Sequence, residues 1–283
     1  MKSINVKTPA KINLTLEVLN KREDGFHNIQ SIMQTVSLYD YLTITIEDFS
    51  ENTISLAGTS NEIPYDEKNI VHKAWKLFCE KKNIKNKKVS VFIEKNIPVS
   101  AGLAGGSTNA AGFLKGLNSL LDNICTKEEL HSICAKLGSD LNFCLDGGCA
   151  LCTSRGEKIE KLPSINKTLS LIKPKSLGIS AKEAYTRFAA LNESIKKIPD
   201  NTQKLANLIK NGLFDETLMY NSLELALLDV YDELAEIKRI YPNSIMSGSG
   251  STFFVFEKID LNLIDQKRFL VFNNLNFVRD GIS

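Results

Sequence analysis

The stretch Pro98-Val99-Ser100-Ala101-Gly102-Leu103-Ala104-Gly105-Gly106-Ser107-Thr108-Asn109 sets three glycines within five residues and follows them with hydroxyls. Before it, Val89-Ser90-Val91-Phe92-Ile93 reads as a strand. Behind it, Ala110, Phe113, Leu114, Leu117, Leu120 and Leu121 recur at the spacing of a buried helical face. The order is strand, glycine loop, helix N-terminus. Glycines permit positive φ and close approach of the backbone to a ligand. The first N–H groups of a helix lack internal partners, and the helix dipole favours an anion there. A polyphosphate suits such a loop. The simpler alternative is a tight turn with Ser107 or Thr108 as N-cap.

Around this stretch lies a chain of 283 residues, enough for one large or two ordinary domains. Hydrophobic residues make up 43% and charged residues 24%, as in soluble globular proteins. The 35 basic and 33 acidic residues leave a net charge of +2, so nothing draws the whole chain to nucleic acid. The basic run at residues 81–88 sits between a helical pattern and a strand, as a solvated connector does. No signal-peptide core and no long apolar window is present, so a cytoplasmic chain without a membrane partner is expected. Its cysteines (Cys79, Cys125, Cys134, Cys144, Cys149, Cys152) are then expected to be reduced. Cys149 and Cys152 form a lone C-x-x-C within a strand pattern, where i and i+3 face opposite sides, which favours packing over metal binding.

From the N-terminus, Ile4-Asn5-Val6 opens a short strand that residues 7–11 should break. Ile12, Leu14, Leu16 and Val18 then alternate with Asn13, Thr15 and Glu17, a half-buried strand. Residues 29–38 and 42–46 read as two further strands, and 48–66 as polar and turn-rich. A helix starts near Asn69. Thr126-Lys127-Glu128-Glu129 is a capping box opening another helix, and Gly138 its C-terminal cap. Gly147-Gly148 turns into a strand at 149–153. Residues 169–172 form a strand, and helical patterns follow near 181–190, 202–210, 215–228 and 230–240. Met246-Ser247-Gly248-Ser249-Gly250-Ser251-Thr252 is a second glycine cluster, ahead of a buried strand at 253–256. Residues 271–272 and 277–278 read as edge strands.

Familiar nucleotide machines are excluded. There is no G-x-x-x-x-G-K-[ST], no H-R-D or D-F-G, and no G-x-G-x-x-G order. Phosphoryl transfer needs phosphate positioning, charge neutralisation and a group to handle the acceptor's proton. Lys11, in a Pro-Ala-Lys turn entering an uncharged strand, and Asp140, just after a helix end, are candidates for the last two. A lone aspartate after a helix is usually a turn or cap residue, and neither Asp140 nor Lys11 by itself marks a catalytic role.

In combination, Pro9-Ala10-Lys11-Ile12-Asn13-Leu14, the 98–108 loop and the 246–252 cluster resemble, in order, the three motifs of the GHMP small-molecule kinases. The resemblance spans nearly the whole chain, and the second motif is the most specific. Asp24-Gly25-Phe26-His27-Asn28-Ile29, Gly138-Ser139-Asp140, Arg155-Gly156-Glu157 and Asn221-Ser222-Leu223-Glu224 resemble one branch of that family. Its members move the γ-phosphate of ATP onto the tertiary hydroxyl of a cytidine diphosphate-linked sugar alcohol, on the non-mevalonate route to isoprenoid precursors. The rival readings are a homoserine- or mevalonate-type kinase of the same family, and an RNA-binding module on the first half.

The resemblance implies an α+β fold of two lobes: residues 1–160, ribosomal-protein-S5-domain-2-like, and residues 161–283, ferredoxin-like. It implies Asp140 as base with Lys11 as its charged partner. ATP would be bound by Pro98, Val99, Ser100, Ala101, Gly102, Leu103, Ala104, Gly105, Gly106, Ser107 and Thr108, with Asn69 and Lys95 near its nucleoside. The acceptor would meet Asn13, Phe26, His27, Tyr185, Gly248 and Ser249. Mg2+ is implied with the ATP, and a monomer or homodimer that binds no nucleic acid. Three positions depart from the family pattern. Asn142 stands where proline is usual, loosening the turn after Asp140. Ala181 replaces a threonine, and Phe26 replaces a tyrosine, dropping a hydroxyl in each case.

Overall fold

The computed structural model describes residues 1–193, 196 and 199–283. The chain opens with two long antiparallel strands, β1 (Lys2–Lys21) and β2 (His27–Asp48), followed by β3 (Thr53–Gly58) and helix α1 (Ile70–Lys82). Next come β4 (Lys87–Glu94), α2 (Gly105–Leu120), α3 (Lys127–Leu137), α4 (Leu141–Asp146), β5 (Cys149–Ser154), β6 (Lys158–Leu162) and β7 (Thr168–Pro174). Helices α5 (Ala181–Ala190) and α6 (Asn201–Lys210), strand β8 (Tyr220–Asn221), α7 (Asp232–Ile240), β9 (Ile245–Met246), β10 (Phe253–Val255) and β11 (Phe269–Asn276) complete it.

Among the described residues the strands form two sheets. In the first, β3-β4-β2-β1-β8 lie side by side, with β5 pairing β2 and β6 pairing β5. The second is β11-β7-β10-β9. The expected break at residues 7–11 is instead a register shift between Pro9 and Ala10, so one strand runs through. Proline has no N–H for the ladder, and a bulge accommodates that without ending the pairing. The two strands expected at 29–38 and 42–46 are likewise one. A strand also forms within the polar 48–66 segment: β3 runs parallel to β4, with Ile54 and Leu56 packed on the core.

Helices α1–α4 cover one face of the first sheet around Trp75, Phe78, Phe113 and Leu114. A second apolar cluster joins the two halves, with Ile12, Leu14 and Ile32 of the first sheet against Leu171 and Phe254 of the second and Leu205 of α6. This covering changes the reading of β1. Asn13, Thr15 and Glu17 are 1%, 0% and 1% exposed, so the alternation did not mark a half-buried strand. Each polar member has a partner: Asn13 Nδ2 donates to Ser31, Thr15 Oγ1 accepts from Ile32 N–H, and Glu17 accepts from Thr202 N–H. Buried polar groups persist where such partners exist.

The helix expected at 215–228 is also replaced. Residues 216–218 and 222–226 are 3₁₀ turns, and between them Tyr220 and Asn221 pair with β1. Asn221 uses its side chain to cap Leu223 N–H and to bind the second glycine loop, so it is not available to a helix surface. The capping box at Thr126 and Glu129 forms in both directions. Gly138 ends α3 in extended rather than left-handed backbone. Cys149 and Cys152 face different apolar clusters, and burial pushes the Cys149 thiol up to about 12. The basic 81–88 run is held in surface pairs: Lys82 with Glu129, Lys87 with Asp48, Lys88 with Glu47. No helix among the described residues is long and apolar enough to cross a membrane.

Candidate active site

The glycine loop leaves β4 and turns into α2 at Ala104, the N-cap residue, whose φ is 58°. No side chain caps the helix. Ser107 and Thr108 lie inside its first turn, so neither is the N-cap of the simpler reading. The first N–H groups of α2 therefore open toward the space in front of it, as an anion site requires. The loop is anchored from behind: Lys11 N–H donates to Leu103 carbonyl at 3.1 Å.

The second glycine loop, 247–251, packs directly on the first. Ser247 Oγ donates to Gly102 carbonyl at 2.9 Å, and Thr252 N–H donates to Ala101 carbonyl at 3.3 Å. Asn221 Nδ2 donates to the carbonyls of Met246 and Gly248, at 2.6 and 2.9 Å. Met246 N–H donates to Glu224, which pairs with Lys238 at 3.1 Å. Burial raises the Glu224 carboxyl above its usual range, against the pull of that lysine.

Lys11 and Asp140, 129 positions apart in the chain, meet here at 3.5 Å. Lys11 is 3% exposed, and its ammonium also donates to Asn13 Oδ1 at 2.6 Å. Asn13 in turn donates to Ser31, which donates to Thr15 carbonyl, so the lysine rests on a relay of buried hydrogen bonds. Asp140 stands at the start of α4 but makes no capping bond with its side chain. Its carboxylate keeps 31% of its side-chain surface open to the cavity. Asn142, where proline was expected, ties the turn down by donating to Glu157 carbonyl at 3.2 Å.

These groups line one cavity of about 1040 Å³. Of the expected ligand contacts, Lys11, Asn13, Phe26, His27, Lys95, Tyr185, Asp140, Gly248, Ser249 and most of the glycine loop line it. Asn69, Leu103 and Thr108 do not. Asn69 caps α1, accepting from Val71 N–H at 2.9 Å and donating to Pro64 carbonyl. Leu103 is buried in the apolar cluster, and Thr108 is fully enclosed in α2.

At the far end, the rings of His27 and Tyr185 stack with centroids 5.5 Å apart and planes 20° apart. Burial, with Lys21 and Lys196 nearby, lowers the His27 pKa and so favours the neutral ring, which offers one donor and one acceptor. Phe26 is half exposed, with the Arg155 guanidinium 5.0 Å over its ring. Lys21 and Lys182 line the same end without any sequence signal having marked them, and Arg155 was quoted without a role. Together with Lys11 and Lys95 they outnumber the lining carboxylates, Asp24 and Asp140, which suits a polyanionic ligand.

The family profile of GHMP kinases N terminal domain matches residues 69–148. A Clostridium botulinum protein named 4-diphosphocytidyl-2-C-methyl-D-erythritol kinase is 41% identical over 263 residues, covering 89% of this chain and 90% of its own length. The chain belongs to this family of GHMP kinases. A Clostridioides difficile protein of the same name is 40% identical over 280 residues, covering 95% of this chain and 92% of its own. Among solved structures, a 4-(cytidine 5'-diphospho)-2C-methyl-D-erythritol kinase superposes with a TM-score of 0.77 at 25% identity, covering 97% of this chain and 100% of that one. A homoserine kinase from Cytophaga hutchinsonii shares the fold, with a TM-score of 0.75 at 18% identity, 100% of this chain and 98% of that one. The α+β, two-lobed GHMP kinase fold expected from the sequence is the one observed, with its strands in two sheets among the described residues.

Proposed function

We propose that the protein transfers the γ-phosphoryl group of ATP to the 2-hydroxyl of 4-diphosphocytidyl-2-C-methyl-D-erythritol. The observation that carries this reading is the Lys11–Asp140 contact at 3.5 Å, in one cavity with the glycine loop and the His27–Tyr185 stack. Each lobe, residues 1–160 and 161–283, would supply one glycine loop to the reacting phosphate. The N–H groups at the start of α2 and the Ser107 hydroxyl would hold the phosphates. The stacked rings offer an aromatic face to cytosine, and neutral His27 offers directional bonds to its edge.

Asp140, uncapped and open to the cavity, would receive the acceptor's proton. A carboxylate is a weak base toward an alcohol, so the proton moves late, as the phosphorus–oxygen bond forms. Lys11 would orient the carboxylate and offset charge on the hydroxyl oxygen. Magnesium fits as a companion of the nucleotide. Among the described residues no group of three or more His, Cys, Asp or Glu could hold a metal, whereas Mg2+ is ordinarily bound by one or two carboxylates plus substrate phosphates. Ser107, in the glycine loop and lining the cavity, is the side chain that would complete its shell beside the phosphates and water, and the ion would supply charge neutralisation.

The test is direct. Protein, Mg-ATP and the cytidine-linked methylerythritol should yield ADP and a singly phosphorylated product. Turnover of homoserine or mevalonate, with none of the cytidine substrate, would overturn the acceptor assignment. Retention of structured RNA without turnover would favour a binding module.

A further inference from the structure

One buried carboxylate is used by nothing described so far. Asp40, in the middle of β2 between Tyr39 and Tyr41, is fully buried. Its Oδ1 accepts from the N–H groups of Asn96 and Ile97, at 2.7 and 2.8 Å. Its Oδ2 accepts from Asn109 Nδ2 at 2.9 Å and pairs with Lys95 Nζ at 2.8 Å. Four donors converge on it from the segment entering the glycine loop and from α2, the helix that leaves the loop.

The lysine it holds is in an unusual place. A Cβ added to Gly105, the first residue of α2, would lie 2.8 Å from Lys95 Nζ. The ammonium therefore sits against the positive end of the helix dipole, which is unfavourable unless anions are near. Burial lowers the Lys95 pKa, and Asp40 and, more weakly, Glu62 oppose that. An ammonium has three donors. Two of them go to Asp40 and the Ile97 carbonyl, and Lys95 lines the cavity in which the third can meet a ligand.

We infer that Asp40 is a positioning residue for nucleotide binding: it holds the Lys95 ammonium at the start of α2, ready for an anionic ligand. The inference rests on the ATP half of the proposed function. It makes the phosphate loop a two-charge device, in which Asp40 fixes the cation and Asn109 ties the same carboxylate to the helix behind.

The experiment measures Mg-ATP binding by calorimetry, and KM for ATP and for the acceptor, in the full chain and in Asp40→Asn, Lys95→Met and the double variant. The amide of Asp40→Asn keeps an acceptor for the backbone N–H groups but removes the countercharge. Asp40→Asn is expected to weaken Mg-ATP about tenfold, the scale of one charge-assisted hydrogen bond, and to leave the acceptor KM within about twofold. Lys95→Met should do the same, and the double variant should be no weaker than the worse single one, because both remove one contact. Unchanged ATP affinity in Asp40→Asn, an equal loss for both substrates, or multiplying effects in the double variant would overturn the inference. If Asp40→Asn does not fold, Lys95→Met decides alone: weakened ATP binding supports the inference, and unchanged binding overturns it. Failure of the acceptor assignment would show instead as an unmodified protein that binds Mg-ATP yet does not turn over the cytidine substrate.

Discussion

At Asp140 the chain holds a carboxylate at the mouth of a short helix and leaves it free of capping duty. Its nearest charge, Lys11, is fixed from the other side by Asn13. That arrangement predicts a clean separation of roles. Asp140→Asn should lower kcat by about 10²–10⁴, the range for a positioned proton acceptor, while calorimetry finds Mg-ATP binding little changed. Full activity in that variant would remove Asp140 from the chemistry. Both residue types were readable in the sequence as candidates. Their contact was not, because a lysine in a strand and an aspartate after a helix carry no local sign of facing each other. Asp40 left no sign at all. A single acid between two tyrosines looks like any exposed strand residue until the fold encloses it.

Among the elements, the two glycine loops show why glycine density marks more than one need. Gly102 has φ +73°, and a Cβ there would lie 1.9 Å from the Ser247 carbonyl oxygen. It is the point where the two loops touch. Gly106, by contrast, has only Ile70 Cγ2 near its Cβ position, at 3.9 Å, and lines the cavity. Gly102→Ala should therefore cost at least about 2 kcal/mol of stability and lower kcat as the loops separate. Gly106→Ala should fold at least as well as the parent, since alanine favours a helix, and weaken ATP by intruding on its space. Melting temperature and KM for ATP distinguish the two, and the reverse pattern would refute this division. The helices with strong caps, such as α3 with Thr126 and Glu129, were correctly read from local chemistry. The helix expected at 215–228 was not formed, because Asn221 and its neighbours answer to β1 and to the second glycine loop rather than to each other.

Across the whole molecule, the site is assembled from both sheets, and contacts between protein groups brace both of its loops. Glu224, Asn221 and Lys238 brace one glycine loop, while Lys11 N–H and Asp40 brace the other. No cluster of metal-binding side chains contributes to that framework among the described residues. Chelation of magnesium should accordingly stop turnover while leaving the melting temperature of the ligand-free protein within about 1 °C of its starting value. A drop of several degrees on chelation would mean that a metal is part of the fold.

The sequence alone determined the family, the glycine loop ahead of a helix, the capped helices and the residue types of the proposed chemistry. Each of these depends on interactions a few residues long, or on motifs whose order survives in one dimension. Only the tertiary structure decided the rest. It buried Thr15 and Glu17 against α6 and Asn13 beside Lys11, and it joined the early strands into continuous ones through a bulge at Pro9. It also turned Asn69 into a cap and brought Lys11, Asp140, Gly102 and Gly248 to one point. These outcomes depend on which surface covers which. Period and propensity describe a segment's own preferences, whereas burial and contact depend on the element packed against it.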